Sequence, residues 1–384
     1  MKAQVLYAPG DLRFEEREEP VIGNHDVLLQ VECCGICGSD VPRVFTTGTH
    51  NMPCVPGHEF SGTVIRTGSA VDAAWEHRRV SVFPLLPCMK CDSCRAGIYE
   101  TCTHYDYLGS RCDGAFAEYV RVPAANLIAI PDTVSFEEAA MYEPMAVAVH
   151  ALRMSGILNN RIRNNDISSP SAAVFGAGTI GLLLVMFLLE AGQKNLYVIG
   201  NKRFQKERCI ALGLAPERFC DTRFTDAAAF LAEQTDGRGT DFCFDCVGTA
   251  PVIALTVDSC APMGTVTLVG NPASDILLPK ELYWKIPRRQ LTLHGIWNSS
   301  FAIGRHALMD NPCFPEAEAG KENRQNDATD DWQYVSARLS THRIHPAELI
   351  THRLPLADLP KGLSLMRDKT EPYGKIMVSA SSLL

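Results

Sequence analysis

The chain has 384 residues, of which 46% are hydrophobic and 21% are charged, and its formal net charge is −8. This is the composition of a globular protein long enough for two domains, and its acidic balance argues against nucleic acid as the main partner. No apolar run reaches membrane-spanning length, and the first residues lack the apolar stretch of a signal peptide. We therefore expect a cytoplasmic protein with no membrane partner, in which the cysteines stay reduced.

The first 150 residues predict a compact, mostly β domain. Short apolar runs that indicate strands lie at VLLQVE (27–32), GTVIRTG (62–68) and FAEYVRVP (116–123), between turns rich in Gly and Pro. A polar segment at residues 155–171 then indicates a loop or a domain boundary.

From residue 172 the pattern changes to strand-like apolar runs alternating with helical stretches. The runs are AAVFGAG, NLYVIG, TDFCFDCVG and GTVTLVG, and LTLHGIW (291–297) could be the last strand. This alternation is typical of a parallel sheet with crossover helices. The acidic, polar residues 305–331 are expected to form a mobile surface insertion, and the tail returns to one helix and a final strand, GKIMVS.

Four cysteines form the clearest motif of the chain. Cys88, Cys91, Cys94 and Cys102 are spaced C-x2-C-x2-C-x7-C. Four thiolates at these separations can surround one tetrahedral ion, and a closed set of four cysteines is typical of structural zinc. An iron–sulfur cluster is the weaker alternative, because the run lacks the C-x3-C-P ending of bacterial ferredoxins. Unrelated reduced cysteines are the remaining alternative.

A second possible metal site is dispersed along the chain. CGICGSD supplies Cys37, VPGHEFSG supplies His58 and Glu59, and MYEPMAVAVHA supplies Glu143. Thiolate, imidazole and carboxylate together suit a zinc ion that keeps one position open for water or substrate. Singly, Cys37 could be a small buried hydrophobe, His58 a core histidine and Glu143 a charge at a helix N-terminus.

The run AAVFGAGTIG carries a dinucleotide fingerprint. Gly176, Gly178 and Gly181 form G-x-G-x-x-G between a strand-like run and an apolar helix, with Thr179 and Ile180 at the start of that helix. The glycines allow a tight turn, close approach of the backbone to a pyrophosphate, and close packing of helix on strand. The free N–H groups of the helix N-terminus would then bind the phosphates.

The residues after the next strand bear on the choice of cofactor. An acid for the adenosine ribose is expected there, but Gly200 occupies the position and Asn201, Lys202 and Arg203 follow it. The missing carboxylate and the added cations favour NADP over NAD. The alternative is that NKRFQKER is only the solvated start of a helix.

CGICGSD, PGHEFSG, the four-cysteine loop, EPMAVAVHA and FGAGTIG, in that order, resemble the zinc-dependent medium-chain dehydrogenases. Within this family the resemblance is to the polyol branch rather than to the classical alcohol dehydrogenases, because a glutamate follows the histidine in PGHEFSG and another lies in EPMAV. The resemblance implies an α/β protein with a GroES-like, mostly-β catalytic domain (1–153, completed by 299–384) and a Rossmann domain (154–298). It also implies a homodimer or homotetramer. The linker at 159–169 and the insertion before Trp332 look longer than is usual in the family.

The resemblance also implies roles for individual residues. Cys37, His58 and Glu59 match ligands of the catalytic zinc, Glu143 matches a glutamate that ligates the ion or holds its water, and Ser39 matches the hydroxyl that takes the alcohol proton. The cysteines of the four-cysteine loop match the structural ligands.

The implied reaction interconverts a polyol, expected to be a sugar-alcohol phosphate, and its ketose with NAD(P). An unphosphorylated polyol or threonine is the alternative substrate. A zinc-free reductase and a catalytically silent nucleotide-binding regulator are the alternative functions.

A phosphorylated substrate would need cations near the metal. Arg43, His50 and Arg111 are the candidates, and Asn298 could contact substrate or nicotinamide. The alternative is that Arg43, His50 and Arg111 are surface or structural residues.

Overall fold

The computed structural model describes residues 1–158, 170–304 and 330–380. The chain divides into two compact units: unit 1 comprises Met1–Ala146 and Ser299–Leu384, and unit 2 comprises Val147–Asn298. The expected long linker at 159–169 and most of the expected insertion, 305–329, lie outside the described residues.

The strands, in chain order, are β1 (Lys2–Ala8), β2 (Asp11–Glu16), β3 (Asp26–Gly35), β4 (Glu59–Thr67), β5 (Arg79–Val82), β6 (Leu85–Leu86), β7 (Asp106–Tyr107), β8 (Tyr119–Pro123), β9 (Leu127–Ala129), β10 (Ser171–Phe175), β11 (Asn195–Gly200), β12 (Phe219–Asp221), β13 (Thr240–Asp245), β14 (Cys260–Leu268), β15 (Thr292–Gly295), β16 (Ile350–Pro355) and β17 (Lys375–Ser379).

The helices are α1 (Asp40–Pro42), α2 (Asp92–Arg95), α3 (Phe136–Ala140), α4 (Tyr142–Ser155), α5 (Thr179–Glu190), α6 (Arg203–Ala211), α7 (Ala227–Gln234), α8 (Ala250–Asp258), α9 (Lys280–Tyr283), α10 (Lys285–Arg289), α11 (Asp331–Ser340) and α12 (Leu359–Asp368). The contacts divide the chain between Ala146 and Val147, inside α4, whereas the sequence placed the boundary after residue 153.

Unit 1 is built on a seven-stranded sheet in the order β16-β17-β3-β4-β5-β9, and β8 also pairs with β3. β8 pairs with the first half of β3 and β17 pairs with its last residues, so the C-terminal tail extends the sheet formed by the N-terminal part. Apolar side chains from β1, β3, β4, β5, β17 and α12 form one buried core. The expected mostly-β, GroES-like architecture is confirmed.

The acidic segment before Trp332 ends earlier than the sequence analysis placed it. Asp330 caps α11 by accepting the amide N–H of Gln333, and the carboxylate of Asp331 accepts the amide of Ser300 at 2.7 Å. These two acids therefore belong to the folded part of unit 1, and the prediction of an insertion through residue 331 was wrong for them. An acidic residue at a helix start looks the same in a sequence as one in a solvated loop.

Unit 2 contains a six-stranded sheet in the order β12-β11-β10-β13-β14-β15, in which every neighbouring pair is parallel. The order reverses beside β10, which pairs with β11 on one side and β13 on the other. Ligands of doubly wound sheets bind at this switch point, outside the carboxyl ends of the strands. The expected Rossmann architecture is confirmed, although the short β12 was not foreseen.

The longest apolar run of the sequence forms α5, in which residues 181–188 are all buried. Among the described residues, no helix has both the length and the apolar character needed to cross a membrane.

Candidate active site

The pairing of β3 with β4 brings three of the predicted metal ligands together. Gly35, at the end of β3, lies opposite Glu59, at the start of β4. Cys37 follows β3 by two residues and His58 directly precedes β4, so both side chains emerge at the same end of the strand pair. A Cβ on residue 35 would lie 2.4 Å from Glu59 Oε2, so the glycine leaves the space that this carboxylate occupies.

The donor atoms of Cys37, His58 and Glu59 all lie within 4.8 Å of one another. His58 and Glu59 are only 3% and 2% exposed, and Cys37 is half-buried and forms no disulfide. Thiolate, imidazole and carboxylate converging in a buried place are a typical ligand set for a catalytic zinc ion. The residues present therefore fit the metal that the sequence predicted.

Asp40 is completely buried and contacts both Cys37 and His58. Its carboxylate accepts the amide N–H of Cys37 at 2.9 Å, and its Oδ1 lies 3.4 Å from Nδ1 of His58. Burial alone would raise the pKa of Asp40, but the attraction of His58 and Arg43 outweighs it, and the pKa is lowered. A carboxylate beside the outer nitrogen of a ligand histidine fixes the orientation of the ring. Sequence analysis did not single out Asp40, although it closes the CGICGSD motif.

Lys375 forms a second buried contact with the cluster. Its ammonium group forms an ion pair with Oε2 of Glu59 and donates to the carbonyl of Ile36 at 3.2 Å. Burial alone would lower the pKa of Lys375, but Glu59 and Cys37 raise it above its usual value. Lys375 thus links one candidate ligand, Glu59, to the backbone beside another, Cys37. Sequence analysis missed it, because its only signal is a lone charge at the start of the apolar run GKIMVS.

Glu143 lies in the first turn of α4 and is not part of the three-residue cluster. Its Oε1 accepts a hydrogen bond from the hydroxyl of Tyr107 at 3.3 Å, and the Tyr107 ring meets the His58 ring edge-on at 5.8 Å. Burial raises the pKa of Glu143 to about 7, although His58 acts in the opposite direction. Glu143 therefore lies beside the cluster with a tyrosine partner that sequence analysis did not identify.

Ser39, the predicted proton acceptor, contacts the cluster directly. Its hydroxyl donates to Sγ of Cys37 at 3.2 Å and accepts from Nη1 of Arg43 at 3.0 Å. The same Nη1 lies 3.2 Å from Oδ1 of Asp40. Arg43 is thus placed next to the cluster, but Asp40 already compensates its charge.

The four cysteines of the second motif also converge. Their sulfur atoms lie within 4.8 Å of one another, with Cys91 Sγ 3.5 Å from Cys94 and 3.9 Å from Cys102, and none is in a disulfide. Zinc–sulfur bonds of about 2.3 Å in a tetrahedron separate the sulfurs by about 3.8 Å. The cluster therefore fits a zinc ion with no open position.

Backbone amides of the four-cysteine loop donate hydrogen bonds to two of its sulfur atoms. The amide of Cys88 donates to Sγ of Cys102 at 3.3 Å, and the amide of Cys91 donates to Sγ of Cys88 at 3.4 Å. A hydrogen bond from the backbone at Thr103 is the largest of the effects that lower the pKa of Cys91 to about 5, whereas burial raises the pKa of Cys94 to about 12. Thiolates are the form that binds metal.

In unit 2, the dinucleotide fingerprint connects β10 to α5. Gly176 has a φ of +94°, and a Cβ there would lie 2.4 Å from Val247, while a Cβ on Gly181 would lie 1.9 Å from the carbonyl oxygen of Gly176. A Cβ on Gly178 would meet nothing within 4 Å in the described part of the chain beyond its immediate neighbours in sequence. The first bond to close the helix is donated by Leu182, so the amides of residues 179–181 precede it. This open helix start fits a bound pyrophosphate.

The end of β11 has no acid for a ribose. A Cβ on Gly200 would lie 2.7 Å from the Phe219 ring, and Asn201 is exposed. Lys202 occupies the N-cap position of α6 without a capping hydrogen bond from its side chain, and Arg203 is paired with Glu207 across one helical turn. Asp221 of β12 lies in register with Gly200, but both of its oxygens accept from Arg223. The preference for NADP stays a prediction.

The remaining candidates fall into two places. The amide of His50 donates to the carbonyl of Ser110, so His50 and Arg111 lie on adjoining segments of unit 1. Asn298 is the last residue of unit 2 and has a φ of +55°. Its side-chain nitrogen Nδ2 is buried and has no hydrogen-bond partner among the described residues. Its contact with substrate or nicotinamide stays a prediction.

Comparison with known proteins agrees with both units. The alcohol dehydrogenase GroES-like domain model matches residues 23–132, and the zinc-binding dehydrogenase model matches residues 179–309. Galactitol 1-phosphate 5-dehydrogenase of Escherichia coli (strain K12) is 32% identical over 298 residues, which cover 77% of this chain and 83% of that protein.

Two further comparisons cover almost the whole chain. The crystal structure of galactitol-1-phosphate dehydrogenase from Escherichia coli has a TM-score of 0.83 at 28% identity and covers 99% of this chain and 100% of that chain. L-threonine 3-dehydrogenase of Francisella tularensis subsp. novicida (strain U112) is 27% identical over 99% of both proteins. The chain belongs to the zinc-dependent medium-chain dehydrogenases, oxidoreductases that act on CH–OH groups of alcohols with zinc and NAD(P).

Proposed function

We propose that this dehydrogenase interconverts a sugar-alcohol phosphate, such as galactitol 1-phosphate, and the corresponding ketose phosphate. The proposal gives Cys37, His58 and Glu59 the role of catalytic zinc ligands, with Glu143 beside them. The observation that carries it is the buried convergence of these three donor atoms within 4.8 Å, one hydrogen bond away from Ser39. The similarity to galactitol 1-phosphate 5-dehydrogenase supports the substrate class.

When bound at Cys37, His58 and Glu59, zinc would supply a Lewis acid for the substrate hydroxyl, and a bound nicotinamide would supply the hydride acceptor. The residues of the chain position the reactants and move the proton. Ser39 lies on the proton path, because its hydroxyl touches Cys37 and is reached by the guanidinium of Arg43. The positive charge of Arg43 lies beside the Ser39 oxygen and stabilises the negative charge that develops on this oxygen during proton transfer. Arg43 itself cannot accept the proton, so the proton leaves Ser39 by another route.

Asp40 and Lys375 position the cluster in this proposal. Asp40 orients His58 and the backbone of Cys37, and Lys375 holds Glu59 against the strand end that carries Cys37. Preorganised groups of this kind need no rearrangement during the reaction. A homodimer or homotetramer and a cytoplasmic location remain predictions.

The substrate panel is the first test. Purified protein is mixed with galactitol 1-phosphate, sorbitol 6-phosphate, their unphosphorylated parents and threonine, each with NAD and with NADP, and the absorbance of the reduced nicotinamide is followed. We expect turnover with the phosphorylated polyols at a kcat/KM well above that of the parents. Turnover with threonine or unphosphorylated polyols alone would refute the substrate class and leave the dehydrogenase assignment in place.

The preference for NADP has a separate test at the end of β11. Gly200 has no room for a side chain, so the missing acid can be supplied only at the exposed Asn201. Asn201→Asp should shift the ratio of kcat/KM for NADP over NAD by about tenfold or more toward NAD, because a carboxylate there repels a 2′-phosphate and accepts the ribose hydroxyls. Asn201→Gln is the uncharged control, and an equal shift in both variants would contradict the prediction.

A further inference from the structure

Arg111 lies on a tight turn that begins at Tyr107. The carbonyl of Tyr107 accepts the amides of Ser110, Arg111 and Cys112, at 3.2, 2.9 and 3.3 Å. The Tyr107 side chain contacts His58 and Glu143, as described above. The backbone from which Arg111 projects is therefore held close to the residue that borders the metal cluster.

The same turn packs against the backbone beside the cluster. Gly109, with a φ of +80°, approaches so closely that a Cβ there would lie 2.5 Å from the carbonyl oxygen of Gly57. Gly57 directly precedes His58. The turn that carries Arg111 is thus fixed against the segment that carries a candidate ligand, and it cannot move independently without losing this packing.

A short series of rings connects Arg111 with the cluster. The ring of His58 lies 5.8 Å from that of Tyr107, and the Tyr107 ring lies 6.3 Å from that of Tyr105. The guanidinium carbon of Arg111 lies 4.5 Å above the centre of the Tyr105 ring. Stacking on an aromatic face fixes the plane of a guanidinium while leaving its N–H groups able to bind an anion.

The charge of Arg111 has no acidic partner within the described ranges. Its Nε is buried and forms no hydrogen bond with any residue that the structure describes. Asp113, the nearest acid after it in sequence, is engaged by the amide of Val55 at 2.8 Å and by Arg17 at 3.7 Å. Arg43 differs, because Asp40 already compensates it. An uncompensated, partly buried guanidinium near a substrate site favours an anionic group.

We propose that Arg111, with His50 on the adjoining segment, binds the phosphate at the far end of the substrate and sets the preference for phosphorylated alcohols. This inference rests on the proposed function, because it assigns the phosphate-binding part of the same site. It gives the two arginines different tasks: Arg43 acts beside Ser39, and Arg111 recognises the anion.

The first experiment compares kcat/KM for galactitol 1-phosphate and for galactitol in the wild type, Arg111→Gln, Arg111→Lys and the surface control Arg66→Gln. We expect Arg111→Gln to reduce the ratio of the two values by about 10- to 100-fold, the range for a lost charge-assisted hydrogen bond. Arg111→Lys should retain part of the ratio and Arg66→Gln all of it. The KM for the nicotinamide cofactor should not change, which distinguishes the substrate phosphate from a cofactor phosphate.

The second experiment needs no turnover. Inorganic phosphate is titrated into the wild type and Arg111→Gln by calorimetry, and we expect Arg111→Gln to weaken phosphate binding about tenfold or more. If the wild type prefers phosphorylated substrates and Arg111→Gln keeps that preference, the inference is refuted and the proposed function stands. A wild type that turns over no phosphorylated polyol but binds phosphate through Arg111 would refute the proposed substrate and keep the anion site. Phosphate binding that is absent or independent of Arg111, together with an unchanged ratio, would refute the inference.

Discussion

The two cysteine-containing clusters of unit 1 differ in what surrounds them. The four-cysteine cluster uses one type of ligand, lies on a loop between β6 and β7, and takes its support mainly from backbone amides. The Cys37 cluster uses three types of ligand at the end of a strand pair and is backed by buried charged side chains, Asp40 and Lys375. A closed set of thiolates satisfies a metal completely, whereas a mixed, incomplete set needs outer residues to hold its geometry.

Buried charged side chains therefore back the cluster to which we assign the catalytic role, whereas the four-cysteine cluster takes its support mainly from backbone amides. The metal-binding motifs alone would rank the four-cysteine loop as the stronger site, because its spacing is the more specific. The structure places the costly buried groups around the weaker-looking motif. Buried charges are tolerated only where they are paired, and here the pairs converge on Cys37, His58 and Glu59.

Among these predictions, removing a ligand from the Cys37 cluster should reduce activity most. Cys37→Ser should lower kcat/KM by about a thousandfold or more, because a Lewis acid supplies several kcal/mol of stabilisation in the transition state. The melting temperature should stay close to that of the wild type, since the core of unit 1 is unchanged. Steady-state kinetics and thermal unfolding measure both, with Cys112→Ser as a matched control. Normal turnover in Cys37→Ser would disprove the assignment.

Removing a ligand from the four-cysteine cluster should instead reduce stability and leave most of the activity. Cys91→Ser should destabilise the loop that holds the cluster, because a structural metal contributes its binding free energy to folding. We expect loss of about one zinc per chain and a clear fall in melting temperature, while kcat of the folded fraction changes by less than about tenfold. Metal analysis together with kinetics at low temperature tests this. A selective loss of kcat with unchanged stability would reverse the roles of the two clusters.

The ion pair behind Glu59 gives a sharper comparison of metal-free and metal-loaded protein. Lys375→Met leaves the buried Glu59 without its cation, which should lower the free energy of unfolding of metal-free protein by about 3–5 kcal/mol. In zinc-loaded protein the loss should be smaller, because the metal supplies positive charge to the same carboxylate. Urea unfolding of the variant and the wild type, both treated alike with and without chelator, measures the two losses, and Lys375→Arg is the charge-conserving control. Equal losses in both states would show that Glu59 does not contact the metal.

The smallest effect is expected for the hydroxyl of Tyr107. Tyr107→Phe keeps the ring beside His58 and removes only the hydrogen bond to Glu143, so kcat/KM should fall by about two- to tenfold, in line with about 1 kcal/mol for one hydrogen bond. The hydroxyl lowers the pKa of Glu143, so in metal-free protein that pKa should rise above about 7 in the variant. Tyr119→Phe, a tyrosine of β8, is the control. A loss as large as that of Cys37→Ser would give Tyr107 a direct catalytic role.

Much of the architecture follows from local pattern. The alternation of strands and helices after residue 172 predicted the parallel sheet, because a strand buried on both faces must be apolar throughout. The G-x-G-x-x-G turn was visible because only glycine fits where Gly176 and Gly181 approach their neighbours. A strand as short as β12 has too few apolar residues to be recognised in a sequence. Asp330 and Asp331 were assigned to a loop because acidic residues are common both in loops and at helix starts.

The candidate metal ligands could be identified without the fold: four cysteines at zinc spacing, and a cysteine, a histidine and a glutamate in short motifs. The charged residue that pairs with Glu59 could not be identified in this way, because Lys375 lies 316 positions after Glu59 and reaches it through the pairing of β17 with β3. Tyr107 likewise meets Glu143, 36 positions later, only in the folded chain. Charge compensation depends on distances of a few ångströms in space, and for residues this far apart in the chain the sequence alone does not give those distances.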